Sequence, residues 1–437
     1  MNIVFLVLVS FACAVGAVRE VVLGTGAMAA LSKAVVDEAA GAVTLALGLV
    51  GVMTLFLGLM KVAEAGGLLV IVARCLRPAL QRLFPDVPPS DPAMGAMIMN
   101  ISANVLGLGN AATPFGIRAM QLLDRLNPTR GTASDAMVLF LAINTSSVTL
   151  LPTGVIALRA AAGSGDPAGI LPTTLFATVC STAAAILLAK LCSRAWPHCA
   201  SADDATPLAG TPLPAPSLTD DGVDGAPSAA LAEADDHAYP AWVCALVLGG
   251  VVVLLPASVA FGSLAAAWII PALVLALLAF GAVRGVAVYE VFVDGARDGF
   301  SLAVRIIPYL VAILVAIGML RASGALDLLL TPLGAMTAPL GLPAEGLLMG
   351  LLRALSGSGA YAYLASLLND PAIGPDSYVG YLASTIQGST ETTFYVLAVY
   401  FGAVGVRRMR HAVFVGLCAD AVGVAASVFI CRLMFAG

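Results

Sequence analysis

The sequence predicts an all-α polytopic membrane protein built from two inverted repeats, an architecture typical of transporters. Of its 437 residues, 60% are hydrophobic and only 11% are charged, and the mean hydropathy is +0.99. These values lie far outside the range of soluble globular domains. Two polar stretches rich in glycine and proline also interrupt apolar segments, one in each half of the chain. Such interruptions predict re-entrant helical hairpins and broken transmembrane helices at a repeat interface.

The first polar stretch occupies residues 94–153. Carboxamides and hydroxyls at bilayer depth are costly unless they face protein or a wet cavity, so its polar residues are candidate solute ligands. We predict a re-entrant hairpin over residues 93–121, with its tip at Gly107 and Gly109, and a span over residues 136–158 that is broken between residues 144 and 152. The candidate ligands are Asn104, Asn110, Thr113, Asn144, Ser146, Ser147 and Thr149.

The second stretch repeats this order between residues 343 and 393. We predict a hairpin over residues 343–370, with its tip at Gly357 and Gly359, followed by a second broken helix. Its candidate ligands are Ser356, Ser358, Gln387, Ser389, Thr390, Glu391 and Thr392.

Glu391 is a carboxylate flanked by hydroxyl residues within an apolar segment. Burial there disfavours its charged form unless Arg353 or a bound cation compensates. Glu391 is therefore expected to bind a coupling cation or a solute donor group, or to carry a coupled proton; the structural alternative is a neutral acid bonded to neighbouring helices. We expect Arg353 to anchor the second hairpin or to pair with Glu391, and Arg159 to be an interface residue that snorkels.

The rest of the chain is predicted to form a scaffold in two halves, residues 1–194 and 239–437. The first half starts with a hydrophobic segment over residues 3–18, which we interpret as a retained helix; the alternative is a signal peptide. A span over residues 41–60 and an amphipathic interfacial segment over residues 67–84 follow. The first half closes with a span over residues 171–192. Residues 195–238 are rich in Pro, Ala and Ser and carry eight acids without Lys or Arg, which is typical of a disordered linker. Two spans, over residues 241–258 and 263–283, open the second half.

Composition also excludes several classes of function. The net charge of −5 becomes −5 + 8 = +3 without the acidic linker, and nothing resembles a nucleic-acid-binding stripe. The eight cysteines show no ligand spacing, there are three histidines, and no nucleophile elbow, P-loop or zinc motif occurs. We therefore expect neither an enzyme nor a metal site, and no cofactor except a coupling Na⁺ or H⁺.

The distribution of basic residues predicts the topology. With both hairpins re-entrant, nine spans place fourteen of the 21 Lys and Arg residues on the cytoplasmic side, in agreement with the positive-inside rule. Two more, Arg305 and Arg353, fall in the membrane. The external five are Arg19, Lys33, Arg159, Arg321 and Arg432. An odd number of spans then separates the repeats, which gives them opposite orientations.

Several long motifs resemble a known family. Leu57-Gly-Leu-Met-Lys61, Asn104-Val-Leu-Gly-Leu-Gly-Asn-Ala-Ala-Thr-Pro114 and Asn144-Thr-Ser-Ser-Val-Thr149 make residues 35–165 similar to spore maturation protein A, and residues 240–437 resemble spore maturation protein B. The chain thus looks like a natural fusion of the two. The resemblance implies a nucleoside recognition, or Gate, domain in each half, distantly similar to concentrative nucleoside transporters. In those transporters two opposed hairpins and two broken helices form the solute and ion site, which implies the same role for the candidate ligands above.

These observations predict a secondary transporter of a small polar organic solute, nucleoside-, amino-acid- or peptide-like, coupled to a cation. The alternative is a non-transporting membrane assembly or regulatory module of the spore maturation type. We expect a multi-pass protein of the bacterial cytoplasmic membrane, in contact with lipid and assembled as a homo-oligomer.

The predicted topology can be tested with reporter fusions. A reporter at Asp220 should be active only on the cytoplasmic side, and one fused after Gly437 only on the external side, because an odd number of spans separates the two positions. Activity of both fusions on the same side would contradict the nine-span arrangement.

Overall fold

The computed structural model describes residues 2–24, 26–195 and 270–436, and these residues are almost entirely helical. The predicted span over residues 241–258, and the predicted linker beyond residue 195, lie outside the described residues. The helices of the first half are α1 (Asn2–Leu23), α2 (Ala27–Ala65), α3 (Leu68–Leu83), α4 (Pro92–Val105), α5 (Gly109–Leu126), α6 (Asp135–Thr145), α7 (Thr153–Ala161) and α8 (Leu171–Ala195). Those of the second half are α9 (Ile270–Val283), α10 (Val288–Ser323), α11 (Ala325–Thr337), α12 (Ala344–Leu355), α13 (Gly357–Asn369), α14 (Tyr378–Ser389), α15 (Thr393–Gly402) and α16 (Ala412–Ala436).

The helix order of α2 to α8 recurs in α10 to α16. Each series has a long helix, a shorter one after a glycine, a helical pair joined by a short turn, a broken helix and a long closing helix. The pairs α4–α5 and α12–α13 are the two predicted hairpins, called hairpin one and hairpin two. Broken helix one is α6–α7, whose break one covers residues 146–152; broken helix two is α14–α15, whose break two covers residues 390–392. The predictions of two helical pairs and two broken helices are thus confirmed.

The helices have the length and composition of a multi-pass membrane protein. Three described helices are long and apolar enough to cross a bilayer, and two further bent pairs raise the number to five. One bent pair is α2–α3, with an angle of 67° between its helices, so the amphipathic segment over residues 67–84 does leave the line of the preceding helix. The segments α6 and α7 have 11 and 9 residues. At 1.5 Å per residue each covers about half of a 30 Å hydrocarbon layer.

The two long helices α2 and α10 form the most extensive helix pair. The pair is antiparallel, because Gly318 lies against Glu38 near one end, Gly299 against Thr54 in the middle and Gly295 against Lys61 at the other end. With 39 and 36 residues, both helices are much longer than the predicted span over residues 41–60. In α2 the extra turns come from residues 27–40 and 61–65, which contain no glycine or proline to end the helix.

Broken helices one and two are tied together at both ends. At one end Arg159, in the last turn of α7, binds Asp376 before α14 at 3.0 Å. At the other end Arg410, after α15, binds Asp135 at the start of α6 at 2.6 Å. Each broken helix therefore begins where the other one ends, so the two run antiparallel. We call these ion pairs, with their loops, the crossed clasps.

The prediction that Arg159 snorkels at the membrane interface is wrong. It does not snorkel: it is completely buried, and it donates hydrogen bonds to the carbonyl oxygens of Pro375 and Asp166 and to Ser164 Oγ. Burial disfavours the ionised form of Asp376, but hydrogen bonds from Ser164 and Gly165 and the charge of Arg159 outweigh it, so the pKa of Asp376 lies below its ordinary value. A planar guanidinium suits this cage because its five donors can reach several oxygens at once.

The antiparallel pair α2–α10 depends on glycine at its closest approach. A Cβ at Gly299 would lie 2.7 Å from Thr54 Cα and 2.9 Å from the carbonyl oxygen of Met53, so backbone rather than side chain would have to move. Gly299→Leu should lower the free energy of unfolding by about 1–3 kcal/mol, measured as thermal unfolding in detergent. Gly51→Leu on α2 is the control, because no atom lies within 4 Å of that position. Equal unfolding temperatures for the two variants would contradict this packing.

Candidate solute site

Hairpin one meets break one through backbone and amide contacts. The backbone N–H of Leu150 donates to the carbonyl oxygen of Val105 at 2.8 Å, and Asn104 Nδ2 donates to Asn144 Oδ1 at 2.8 Å. Gly107 has a φ of 78°, and a Cβ there would collide with the carbonyl oxygen of Leu151. Hairpin one therefore ends directly on the unwound residues of break one, where it satisfies one of their free backbone groups.

Hairpin two meets break two through a charged side chain. Arg353, near the end of α12 and buried, donates to Thr392 Oγ1 at 2.9 Å and to Glu391 Oε2 at 3.2 Å. The pairing of Arg353 with Glu391 confirms one of the two roles predicted for this arginine. Gly357 lies beside the Thr392 hydroxyl, and Ser356 caps α13 by accepting a hydrogen bond from the N–H of Gly359 at 3.1 Å. The Glu391 side chain keeps 44% exposure, so this ion pair has an accessible side.

The two breaks also meet each other. The backbone N–H of Glu391 donates to the carbonyl oxygen of Thr145 at 2.7 Å. Since Thr145 is the last residue of α6, its carbonyl has no partner within its own helix. This hydrogen bond brings both breaks and both hairpin tips into one region between the halves.

The matching residues Asn144 and Gln387 are bonded differently. Asn144 Oδ1 accepts from Asn104 and, at 3.4 Å, from the hydroxyl of Tyr400, and Asn144 Nδ2 donates to the carbonyl oxygen of Phe140. Gln387 is 1% exposed, and neither atom of its amide has a hydrogen-bond partner among the described residues. The Tyr361 hydroxyl lies near this amide, outside hydrogen-bonding geometry. Asn144 therefore uses both atoms of its amide within the protein, whereas Gln387 uses neither.

The other predicted residues occupy the same region with different roles. The hydroxyls of Ser146 and Ser389 donate to carbonyl oxygens of their own helices, as serines commonly do in apolar helices. Ser147 Oγ is buried without a partner. The remaining predicted ligands lie at a break or near a hairpin tip: Thr113 near the start of α5, Thr149 in break one, Ser358 in the first turn of α13 and Thr390 in break two. The side chain of Asn110 lies outside the described part of the chain.

The glycines of the predicted tips also differ from one another. Gly107 and Gly357 are the residues in close contact with a break. Gly109 starts α5 and Gly359 lies in the first turn of α13, and neither has a positive φ. In both hairpins, the first glycine of the predicted tip thus lies against a break: Gly107 in hairpin one and Gly357 in hairpin two.

Several residues at the site are not among those predicted from the sequence. Helix α8 directs hydroxyls at both broken helices: Thr173 bonds Thr385 at 3.0 Å, Thr174 lies against Gly388, and Thr182 donates to the carbonyl oxygen of Ser146. Their helical spacing in a predicted span was the available signal. Asp420, buried in α16, accepts a hydrogen bond from Thr393 Oγ1 at 2.7 Å. Its signal was a single carboxylate in a helix whose other residues, apart from Arg432, are apolar or small.

Both halves of the chain are similar to known proteins. The model of the family described as Gate, nucleoside recognition, matches residues 46–162 and 303–407, and the two regions contain the two hairpins and broken helices. The chain belongs to this family. Spore maturation protein A of Bacillus subtilis is 47% identical over 163 residues, which cover 37% of this chain and 83% of that protein.

Spore maturation protein B of the same organism is 46% identical over 166 residues, which cover 38% of this chain and 92% of that protein. The two proteins match different parts of the chain, so the chain combines an A-like and a B-like region. No solved structure matches it. Among the residues that the structure describes, no group of three or more His, Cys, Asp or Glu side chains could hold a metal ion.

The contact between Gly107 and break one predicts a specific loss in Gly107→Val. A side chain there meets the carbonyl of Leu151 and should push the tip of hairpin one off break one. Gly24→Val is the matched control, because Gly24 also has a positive φ, 59°, but no atom within 4 Å of an added Cβ. Backbone strain should lower the free energy of unfolding of both variants by about 1–2 kcal/mol, measured by thermal unfolding. Gly107→Val should lose more than this, because its side chain also meets Leu151. An equal loss in the two variants would contradict the close contact.

Proposed function

We propose that this family member is a secondary transporter of a small polar organic solute, nucleoside-, amino-acid- or peptide-like, in the bacterial cytoplasmic membrane. The solute binds where the two hairpin tips and the two breaks meet. Coupling to a Na⁺ or H⁺ gradient drives uptake or export, and the hairpins move relative to the scaffold of α2 and α10. The carrier assembles as a homo-oligomer.

The observation that carries this proposal is the unsatisfied amide of Gln387. Leaving a buried polar group without a partner costs about 1–3 kcal/mol, and proteins rarely leave both atoms of one amide in that state. Around it lie the phenol of Tyr361 and the ion pair of Arg353 with Glu391. An amide, a phenol, a guanidinium and a carboxylate offer donors and acceptors to a polar solute, and a solute bound there would satisfy Gln387.

Alternating access is supported by the arrangement of the repeats, which we propose to be inverted. The corresponding helices α2 and α10 are antiparallel, and so are the two broken helices. Three of the arginines predicted to be external contact the second half: Arg19 donates to the carbonyl oxygen of Ser323, Arg321 pairs with Asp370, and Arg432 donates to the carbonyl oxygen of Leu340. A pseudo-symmetric site at the interface of inverted repeats can open to either side by similar movements.

A second candidate function is a non-transporting assembly or regulatory module. It is favoured by the names of the two curated relatives, spore maturation proteins A and B. In this case the polar interface would hold the two halves together, and Gln387 would be bonded to ordered water. Purified protein in liposomes would then move no solute.

The experiment replaces Gln387 with methionine, which is unbranched and has no hydrogen-bonding amide. If the amide serves a solute, Gln387→Met should unfold at the same or a higher temperature than the wild type without ligand, since a buried unsatisfied group is removed. It should also bind the solute at least about tenfold more weakly, which is a loss of about 1.4 kcal/mol. Gln121→Met is the control, because Gln121 is exposed on α5.

Binding is measured as a thermal shift in detergent against nucleosides, amino acids, dipeptides and dicarboxylates, with and without Na⁺. Transport of any compound that shifts the wild type is then followed in liposomes. A lower unfolding temperature for Gln387→Met, together with an unchanged solute shift, would assign Gln387 to packing and contradict the proposed site.

A further inference from the structure

The buried carboxylate of Asp420 lies at the site, but the proposed function gives it no role. Asp420 is the only acidic residue of α16, and α16 is one of the described helices that are long and apolar enough to cross a membrane. It is the ninth residue of that helix, about 12 Å from its start, and is 7% exposed. An ionisable residue at such a depth calls for a partner or a function.

The surroundings of Asp420 satisfy only one of its two oxygens. Oδ2 accepts the hydrogen bond from Thr393 Oγ1, while Oδ1 is buried and has no partner among the described residues. The side chain of Thr390 lies beside the carboxylate. Gly416 and Gly423, one turn to either side on α16, pack against Thr393 and Thr390, so break two approaches the carboxylate closely. Asp420 thus keeps one oxygen without a partner in a carboxylate that lies beside two threonine side chains.

The charges around break two do not balance. Among the residues that the structure describes, the charged side chains at break two are Arg353, Glu391 and Asp420, and Arg353 already pairs with Glu391 at 3.2 Å. Their formal sum is +1 − 1 − 1 = −1. The other charged residues on described helices that pack against α16 lie near helix ends: Asp135 on α6, Glu345 on α12, and Lys190 and Arg194 on α8. One positive charge is therefore missing at Asp420.

We propose that Asp420 binds the monovalent cation, a proton or a sodium ion, that couples solute movement. A single carboxylate with two threonine hydroxyls suits a cation of charge +1, since a divalent cation would leave an excess of positive charge beside Arg353. This inference rests on the proposed transport function and assigns the coupling cation to Asp420 instead of Glu391. Glu391, paired with Arg353 and partly exposed, remains available to the solute.

The cation site is connected to the solute site through adjacent residues. Thr393 donates to Asp420, while its neighbour Thr392 accepts from Arg353, which also holds Glu391. Cation binding at Asp420 removes the unbalanced negative charge beside the start of α15. This holds break two, and with it Glu391 and hairpin two, in the arrangement that binds solute.

The test measures cation binding without relying on transport. Wild-type protein in detergent should unfold at a temperature several degrees higher in NaCl than in choline chloride if the cation is Na⁺, or as the pH falls from mildly alkaline to mildly acidic if it is a proton. Asp420→Asn should lose this dependence and match the stability of the cation-bound wild type, because its side chain is neutral. Asp294→Asn is the control, with the same substitution at an exposed residue, and should keep the wild-type dependence.

Thr393→Val is a second variant in case Asp420→Asn does not fold. It has nearly the same shape but lacks the hydroxyl bound to the carboxylate, so the midpoint of the Na⁺ or pH dependence should move. Dependence on neither cation in the wild type, or an unchanged dependence in Asp420→Asn or Thr393→Val, would overturn the assignment.

Transport in liposomes separates this inference from the proposed function. Asp420→Asn should exchange solute across the membrane without accumulating it under a cation gradient. Cation stabilisation that requires Asp420, in a protein that moves no solute, would support the cation site and contradict the transport function. Solute transport that neither cation affects would support the transport function and contradict the cation site.

Discussion

The hydrogen bond between the N–H of Glu391 and the carbonyl oxygen of Thr145 joins two helix breaks. The rest of the structure depends on the same constraint, which is that backbone groups exposed by a break need partners. Inside a bilayer, an interrupted helix leaves backbone groups that neither lipid nor its own helix can satisfy. Here the N–H of Glu391 in break two bonds the end of α6, the N–H of Leu150 in break one bonds hairpin one, and Thr182 of α8 bonds the carbonyl oxygen of Ser146. Neither half could bury its break alone, which explains why the halves interlock.

The crossed clasps and the pair α2–α10 hold this interlocking arrangement from outside. Arg159 with Asp376 and Arg410 with Asp135 connect the start of each broken helix to the end of the other. The long helices bring Gly295 and Gly299 of one half against the backbone of the other. The clasps lie at opposite ends of the broken helices, so the polar centre between them is held at both ends by residues of both halves.

The polar centre contains side chains of two kinds: some have all their hydrogen-bond partners within the protein, and others lack them. In the first half, Asn144 uses both atoms of its amide, bonding Asn104 and the carbonyl oxygen of Phe140, and the Tyr400 hydroxyl of the second half also donates to it. In the second half, Gln387 lacks both partners, and Asp420 lacks one. Gene fusion and divergence would permit such a division, because one repeat can supply a fixed surface while the other changes its ligands. The hydroxyls of α8, including Thr174, extend the polar region towards this second half.

The sequence by itself determined that the protein is a helical membrane protein with two matching sets of hairpins and broken helices. Hydropathy, together with glycine, proline and hydroxyl residues inside apolar segments, is a local property that directly limits where a membrane helix can continue. Only the tertiary structure decided that Arg159 is caged instead of snorkelling, that Asn144 is saturated while Gln387 is not, and that Asp420 lies beside break two. These properties depend on which helices pack together, because a side chain's partners and its access to water come from residues far away in the chain.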